Sequence, residues 1–339
     1  MDVLTHGLLG AAVAQASASR DDVRLAALVG LGAGMLPDAD ALLGSSADPL
    51  RVIELHRHFT HALLFVPIGA LLATLLLRVV PPVRRRLSFA RTYRFALLGY
   101  LPAGLLDACT SYGTHLWWPF SEARVAWSVI AIVDPLFSLM LAAALLAGLA
   151  RRAAAPARLG LALAALYLVA GTVQHARADA LARELAASRG HLPERLAVKP
   201  TIGNLVLWRA TYTAGGVAYA DGIRPGLLGE PRLYPGESAP LLDAERDVAV
   251  PPGTRARRDL ARFSALSDGM IARAPSRPEL LGDVRYAMLP TSVEPLWGIV
   301  LPADAERPAE FVTNRSLTPA KRRSFVAMLL GRDLPPDGD

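Results

Sequence analysis

Six consecutive residues, His56-Arg57-His58-Phe59-Thr60-His61, hold three of the chain's seven histidines and stand directly before Ala62–Leu77, sixteen residues without a charge. Imidazole is a common metal ligand, and ionisable groups beside an apolar helix are costly enough that a functional role is the first expectation. Further acids and a histidine stand at the ends of other apolar runs: Asp2 and His6, Asp38 and Asp40, Asp107, and Asp134. This distribution points to a metal site on one face of a membrane bundle.

Each group also has a plainer reading. Asp2 and His6 are four apart and share a helix face if the first turn includes them, but an N-cap acid with an interfacial histidine uses the same spacing. The carboxylates of Asp38 and Asp40 could bridge two divalent ions, or one could ligate while the other acts as a base; a turn would use the same Pro37-Asp38 pair. If residues 56–61 are helical, His58 and His61 share a face, whereas a loop lets His56 join His61. Arg57 could neutralise a phosphate or a developing oxyanion, and Thr60 could orient a ligand. Asp107 and Asp134 interrupt apolar runs, where an acid faces protein, water or metal; an ion pair with Arg57 or Arg124 is the alternative. His115, near Tyr112, is an optional extra ligand. Trp117, Trp118 and Trp127 suit an interfacial aromatic belt, and His175 and His191 suit the surface.

The elements that must position these residues are apolar. Ala62–Leu77, Phe95–Leu106 running on past Asp107, Val125–Ala150 (interrupted only by Asp134) and Leu159–Gln174 are candidate spans. Gly7–Ser19 and Leu25–Pro37 reach only ~20 Å as helices, against a hydrocarbon core of ~30 Å, which suggests a tilted or re-entrant hairpin. The segments Arg78–Arg94 and Arg151–Arg158 carry arginines and no acid. Both belong in the cytoplasm by the positive-inside rule, which sends the Asp and His groups to the opposite face. The expected fold is an α-helical multi-pass membrane bundle of four to six helices over residues 1–175, carrying the metal site. A soluble, strand-rich mixed α/β domain over 176–339 follows, on the outer side. Within it, Ile202–Ala210 and Val217–Ala220 read as strands around a turn at Ala214-Gly215-Gly216. Arg255–Arg262 running into Phe263–Ala272, and Pro319–Gly331, read as helical.

Composition agrees with this division. Of 339 residues 53% are hydrophobic; residues 1–175 hold 14 Lys+Arg and 10 Asp+Glu, and residues 176–339 hold 22 and 20. Five of the ten acids in the first part belong to the suspected site. The positive balance is mostly Arg in short loops, which suits anionic lipid headgroups and not a nucleic-acid groove. Cys109 is the single cysteine, so an internal disulfide or a thiolate cluster is excluded. The segment ending Ala14-Gln15-Ala16 lacks a basic n-region and is read as retained. Dinucleotide, Walker, serine-hydrolase-elbow and His-Glu-x-x-His motifs are missing.

Taken in order, Asp2-Val3-Leu4-Thr5-His6-Gly7, Leu36-Pro37-Asp38-Ala39-Asp40, the 56–61 hexapeptide, Asp107 with Tyr112-Gly113, Trp118-Pro119-Phe120-Ser121 and Val133-Asp134-Pro135 form a recognisable set. It resembles the YdjM-like, LexA-binding family of bacterial inner-membrane-associated metal-dependent hydrolases. His58 and Ala62 stand where that family's pattern has Gly and Ser. Residues 199–209 and 282–298 resemble the C-terminal extension of one branch. The resemblance implies a multi-pass inner-membrane protein and a hydrolase.

On these grounds Asp2, His6, Asp38, Asp40, His56, His61, Asp107 and Asp134 are the candidate ligands for one or two divalent ions, with Zn, Mn or Fe favoured by mixed N/O donors. Arg57, Asp40 and Asp107 are the candidate catalytic residues. The expected chemistry is attack of a metal-activated water on a phosphoester or acyl bond of a lipid or lipid-linked substrate at the outer leaflet. A non-catalytic metal-binding scaffold is the alternative, and a cation transporter ranks below it.

Overall fold

The computed structural model describes residues 1–45, 47–226 and 230–334. Two compact units emerge. One comprises 1–43, 55–173 and 202–204; the other comprises 44–54, 174–201 and 205–339.

The first unit is helical. Asp2 caps α1 (Val3–Ala16) by accepting from the Thr5 amide at 3.0 Å, as an acid before an apolar run should. After a short turn, α2 (Val23–Met35) continues into a 3₁₀ segment, Leu36–Leu43, which carries Asp38 and Asp40. The short α3 (Arg51–Leu55), which belongs to the second unit up to Glu54, precedes the histidine segment, whose last three residues form one 3₁₀ turn, Phe59–His61. Then come α4 (Val66–Leu77), α5 (Pro81–Arg86) and α6 (Phe89–Ala108), the last capped by Ser88. Residues 109–134 are largely irregular, held by bridges at Thr110–Ile130 and Thr114–Val125. Asp134 caps α7 (Pro135–Arg151), and α8 (Ala155–Ser188) follows, belonging to this unit up to Val173.

Small residues let these helices meet. A Cβ on Gly10 of α1 would lie 2.5 Å from the carbonyl oxygens of both Gly30 in α2 and Gly99 in α6. The three backbones therefore touch where side chains would otherwise hold them apart. Around this contact, Val29, Ala33, Ala70, Phe95 and Tyr100 close one apolar core; Leu9, Leu106, Ile130, Phe137 and Leu141 close a second beside α7. Leucines point the other way. Leu71, Leu72, Leu75 and Leu76 on α4, and Leu159, Leu163 and Leu166 on α8, are exposed. An apolar outer surface on that scale is suited to lipid.

Among the described residues, two helical stretches are long and apolar enough to cross a membrane, Val23–Leu43 and Ala155–Ser188. A third is available if Arg51–His61 and Leu63–Leu77, bent by 62°, count as one span. The number falls short of the four to six expected. Two of the expected spans change for local reasons. The run Val125–Ala150 loses its first ten residues, because the chain stays non-helical until Pro135 and the residue before a proline disfavours the helical region. Phe95–Leu106 runs on through Asp107 as expected, but its helix starts earlier, at Phe89, and so takes in Arg91 and Arg94.

The second unit is built on two antiparallel sheets. The first joins β1 (Arg195–Pro200), β2 (Trp208–Ala214), β3 (Val217–Arg224) and β4 (Arg232–Tyr234) in that order, and β5 (Ser238–Pro240) pairs with another part of β3. Gly215 and Gly216 turn β2 into β3 with φ of 59° and 74°, a primed-type hairpin turn at the expected position. Residues 202–207, expected to begin that strand, lie outside it. Next, α9 (Arg255–Leu266) ends well before Ala272, since Ile271–Ala274 is strand β6. With β7 (Arg277–Asp283), β8 (Trp297–Val300) and β9 (Glu310–Thr313) it forms the second sheet. Leu260 and Phe263 of α9 pack with Ile271, Leu281 and Ile299. The described chain closes with α10 (Pro319–Leu329).

Candidate metal centre

Three elements of the first unit converge. His6 closes the first turn of α1, Asp107 lies near the end of α6, and His61 stands at the end of the 3₁₀ turn. One donor atom from each lies within 4.8 Å of the other two, and all three residues are buried. His6 Nε2 is 3.1 Å from Asp107 Oδ1, and His61 Nε2 is 3.2 Å from Asp107 Oδ2. A helix packing detail allows this: a Cβ at Gly104 would collide with the His61 carbonyl, so only glycine lets α6 approach the turn.

The 3₁₀ acids complete the surround. Asp38 Oδ2 hydrogen-bonds His6 Nδ1 at 2.7 Å, and its Oδ1 lies 3.8 Å from His61 Nε2. Asp40 Oδ2 accepts from the Arg57 amide at 2.8 Å and from the Thr60 hydroxyl at 3.2 Å, while Oδ1 is 3.0 Å from His56 Nδ1. The Thr60 hydroxyl also contacts His61 Nδ1 at 3.0 Å, and Tyr100 donates to the Thr60 carbonyl. Carboxylate partners on the outer nitrogens of ligating histidines fix tautomer and ring orientation. Of the six acids and histidines in this cluster, His56 is the open one, its side chain a third exposed.

Arg57 is buried beneath the cluster. Its guanidinium donates to Thr110 Oγ1 at 2.9 Å and to the Met1 carbonyl at 3.0 Å, and its Nε faces Asp107 Oδ2 at 3.0 Å without hydrogen-bond alignment. The Met1 amino group contacts Asp107 Oδ1. Arg57 also has φ of 59°, uncommon for a residue with a side chain. That conformation turns its amide to Asp40 while its carbonyl accepts from the His115 amide and the Thr114 hydroxyl. The strained residue thus ties the histidine segment both to the 3₁₀ acids and to the 109–134 segment.

Two of the sequence candidates have other partners. Asp2 accepts from both the amide and the hydroxyl of Thr5. Asp134 accepts from the Phe137 amide at 3.1 Å and from the Tyr167 hydroxyl at 2.7 Å. Both are helix-capping arrangements. Sequence reasoning did not single out Gly104, Thr110 or Tyr167. A glycine opposite a carbonyl leaves no signal in one sequence, and Tyr167 lies on an apolar helix like any core aromatic.

The donors fit a metal ion. Among the described residues, His61 Nε2 and Asp107 Oδ2 are buried without a hydrogen-bond partner, the carboxylate oxygen having only the misaligned Arg57 Nε beside it, a costly arrangement unless something else satisfies them. Ligands about 2.1 Å from a tetrahedral or octahedral ion lie about 3.0–3.4 Å apart, which brackets both imidazole–carboxylate separations. Two imidazoles and one carboxylate suit zinc, manganese or iron over calcium.

A second group lies beyond the buried one: His58, His115 and Glu122 also offer donors within 4.8 Å of one another. Burial, with Arg124 and His58 close by, holds His115 down at about 4, so its ring is neutral at physiological pH.

No curated protein and no solved structure matches the chain. A family model does: the Asp–His motifs, the apolar helices around them and the stretch beyond residue 135 all fall inside one match that runs from residue 1 to 178 and covers more than half of the sequence, so the chain belongs to the YdjM inner membrane protein family.

Proposed function

We propose that this protein is a membrane-bound, metal-dependent hydrolase acting on a phosphoester or acyl bond of a lipid-like substrate. The observation that carries the reading is the pairing of His61 Nε2 with Asp107 Oδ2, two buried atoms without hydrogen-bond partners at ligand spacing. His6, His61 and Asp107 would hold the ion, with Asp38 as a neighbouring carboxylate for a second ligand or ion. A divalent ion there would supply Lewis acidity and make a water more acidic at neutral pH.

The chain's own residues then divide the work. Asp40 fixes the His56 ring through Nδ1, and His56, the open member, takes the proton from the attacking water and returns it to the leaving oxygen. Arg57, with its guanidinium held by Thr110, Met1 and Asp107, acts as a positioning residue for Asp107. An apolar cavity of about 300 Å³, lined by Leu63, Leu64, Leu116, Trp117, Trp118 and Phe120, supports an acyl chain as part of the substrate. Loop charge favours the outer face for the site and for residues 176–339, with residues 1–175 as the membrane-embedded part.

The test is turnover. Detergent-purified protein supplied with Mn²⁺ or Zn²⁺ is mixed with vesicles containing each phospholipid headgroup class and a lipid-linked phosphate. The reading expects product release that His56→Ala and His61→Ala abolish. Metal-loaded wild type that releases nothing from any class would overturn it.

A further inference from the structure

The donors of His58, His115 and Glu122 share no ligand with the buried centre. One atom from each lies within 4.8 Å of the other two. The imidazoles face each other with ring centroids 4.6 Å apart and planes tilted by 51°. His58 Nε2 stands 3.6 Å from Glu122 Oε2, beyond hydrogen-bond length. The Nδ1 atoms of both histidines are buried and lack hydrogen-bond partners among the described residues. Two adjacent imidazoles with unsatisfied nitrogens, and a carboxylate close enough to reach them, together form an incomplete polar cluster.

We infer that His58, His115 and Glu122 form a second, outer metal site that takes one divalent ion of the zinc, cobalt or nickel class.

The backbone holds both imidazoles in place before any ion arrives. The His58 amide donates to the Leu55 carbonyl at 3.1 Å, and the His115 amide donates to the Arg57 carbonyl at 3.1 Å. Trp118, whose ring lies 5.7 Å from that of His58, walls one side. Glu122 is the mobile partner: its side chain is 74% exposed, so it can close onto an ion without disturbing the core. A set of two histidines and one carboxylate binds borderline metals through imidazole and leaves coordination positions for water. Nothing in this inference depends on hydrolysis at the buried centre.

The probe is Co²⁺, whose visible ligand-field absorption reports nitrogen and oxygen ligation directly. The detergent-purified full chain is stripped with chelator and titrated beside Glu122→Gln, His115→Ala and His61→Ala. Wild type and His61→Ala should both show the outer equivalent. Glu122→Gln and His115→Ala should weaken it by at least roughly tenfold, since even outer-shell partners of a metal are worth that much. Glu122→Gln changes an exposed side chain, so unchanged thermal unfolding of its metal-free form separates lost ligation from lost folding. Equal stoichiometry and affinity in wild type, Glu122→Gln and His115→Ala would overturn the inference and leave the imidazoles as a ring–ring contact.

Discussion

His61 Nε2 and Asp107 Oδ2 lie 3.2 Å apart inside the helical unit, and neither has a hydrogen-bond partner among the described residues. One comes from a 3₁₀ turn and the other from α6, and they meet because glycine at position 104 lets the two backbones close.

That approach makes a prediction with an unusual sign. Gly→Ala inside a helix ordinarily gains up to about 1 kcal/mol. At Gly104 the added methyl group would meet the His61 carbonyl, so Gly104→Ala should lower the melting temperature and reduce metal content together. A more stable variant with full metal content would contradict the packing.

Asp107→Asn tests the ion pair below the cluster. Removing one partner of a buried pair leaves the Arg57 guanidinium uncompensated, at a cost of about 3–5 kcal/mol. Arg57→Met/Asp107→Leu, which removes both charges, should recover much of that stability in thermal unfolding while remaining unable to bind metal at the buried centre.

Topology follows from loop charge. A reporter fused after Arg86 should read cytoplasmic and one fused after Ala187 external. The reverse pair would move the site to the cytoplasmic face.

In the second unit, Arg262 of α9 grips Asp48 at 3.0 Å and Glu54 at 2.7 Å. Burial pushes the Asp48 carboxyl up, but hydrogen bonds and charge from Arg262 and Arg255 outweigh it and hold the group below its ordinary value. A depressed folded value means this stabilisation is present above the unfolded value, about 3.9, and is lost as pH falls through the folded one. Asp48→Asn should therefore lower the melting temperature at pH 7 and shrink the difference toward pH 3.

The candidate site was legible in sequence where an ionisable residue interrupts or ends an apolar run. His6, Asp38, Asp40, His61 and Asp107 stand out for that reason, although residues 6 and 107 are a hundred positions apart. Asp2 and Asp134 carry the same signal, yet their carboxylates cap helices, because an acid before an apolar run is what both a cap and a ligand look like. The run 125–134 is rich in β-branched and aromatic residues, and hydrophobicity alone did not reveal that Pro135 starts the helix. The Gly215-Gly216 hairpin could be read because only such residues favour that turn. The Gly10, Gly30 and Gly99 contact could not, since it joins three distant segments.

The most direct measurement is elemental analysis of detergent-purified wild type beside His61→Ala and Asp107→Asn. The account predicts stoichiometric zinc, manganese or iron in the wild type and one equivalent fewer in each variant. A wild type that carries no metal and takes up neither Zn²⁺ nor Mn²⁺, or variants that keep the full content, would contradict it.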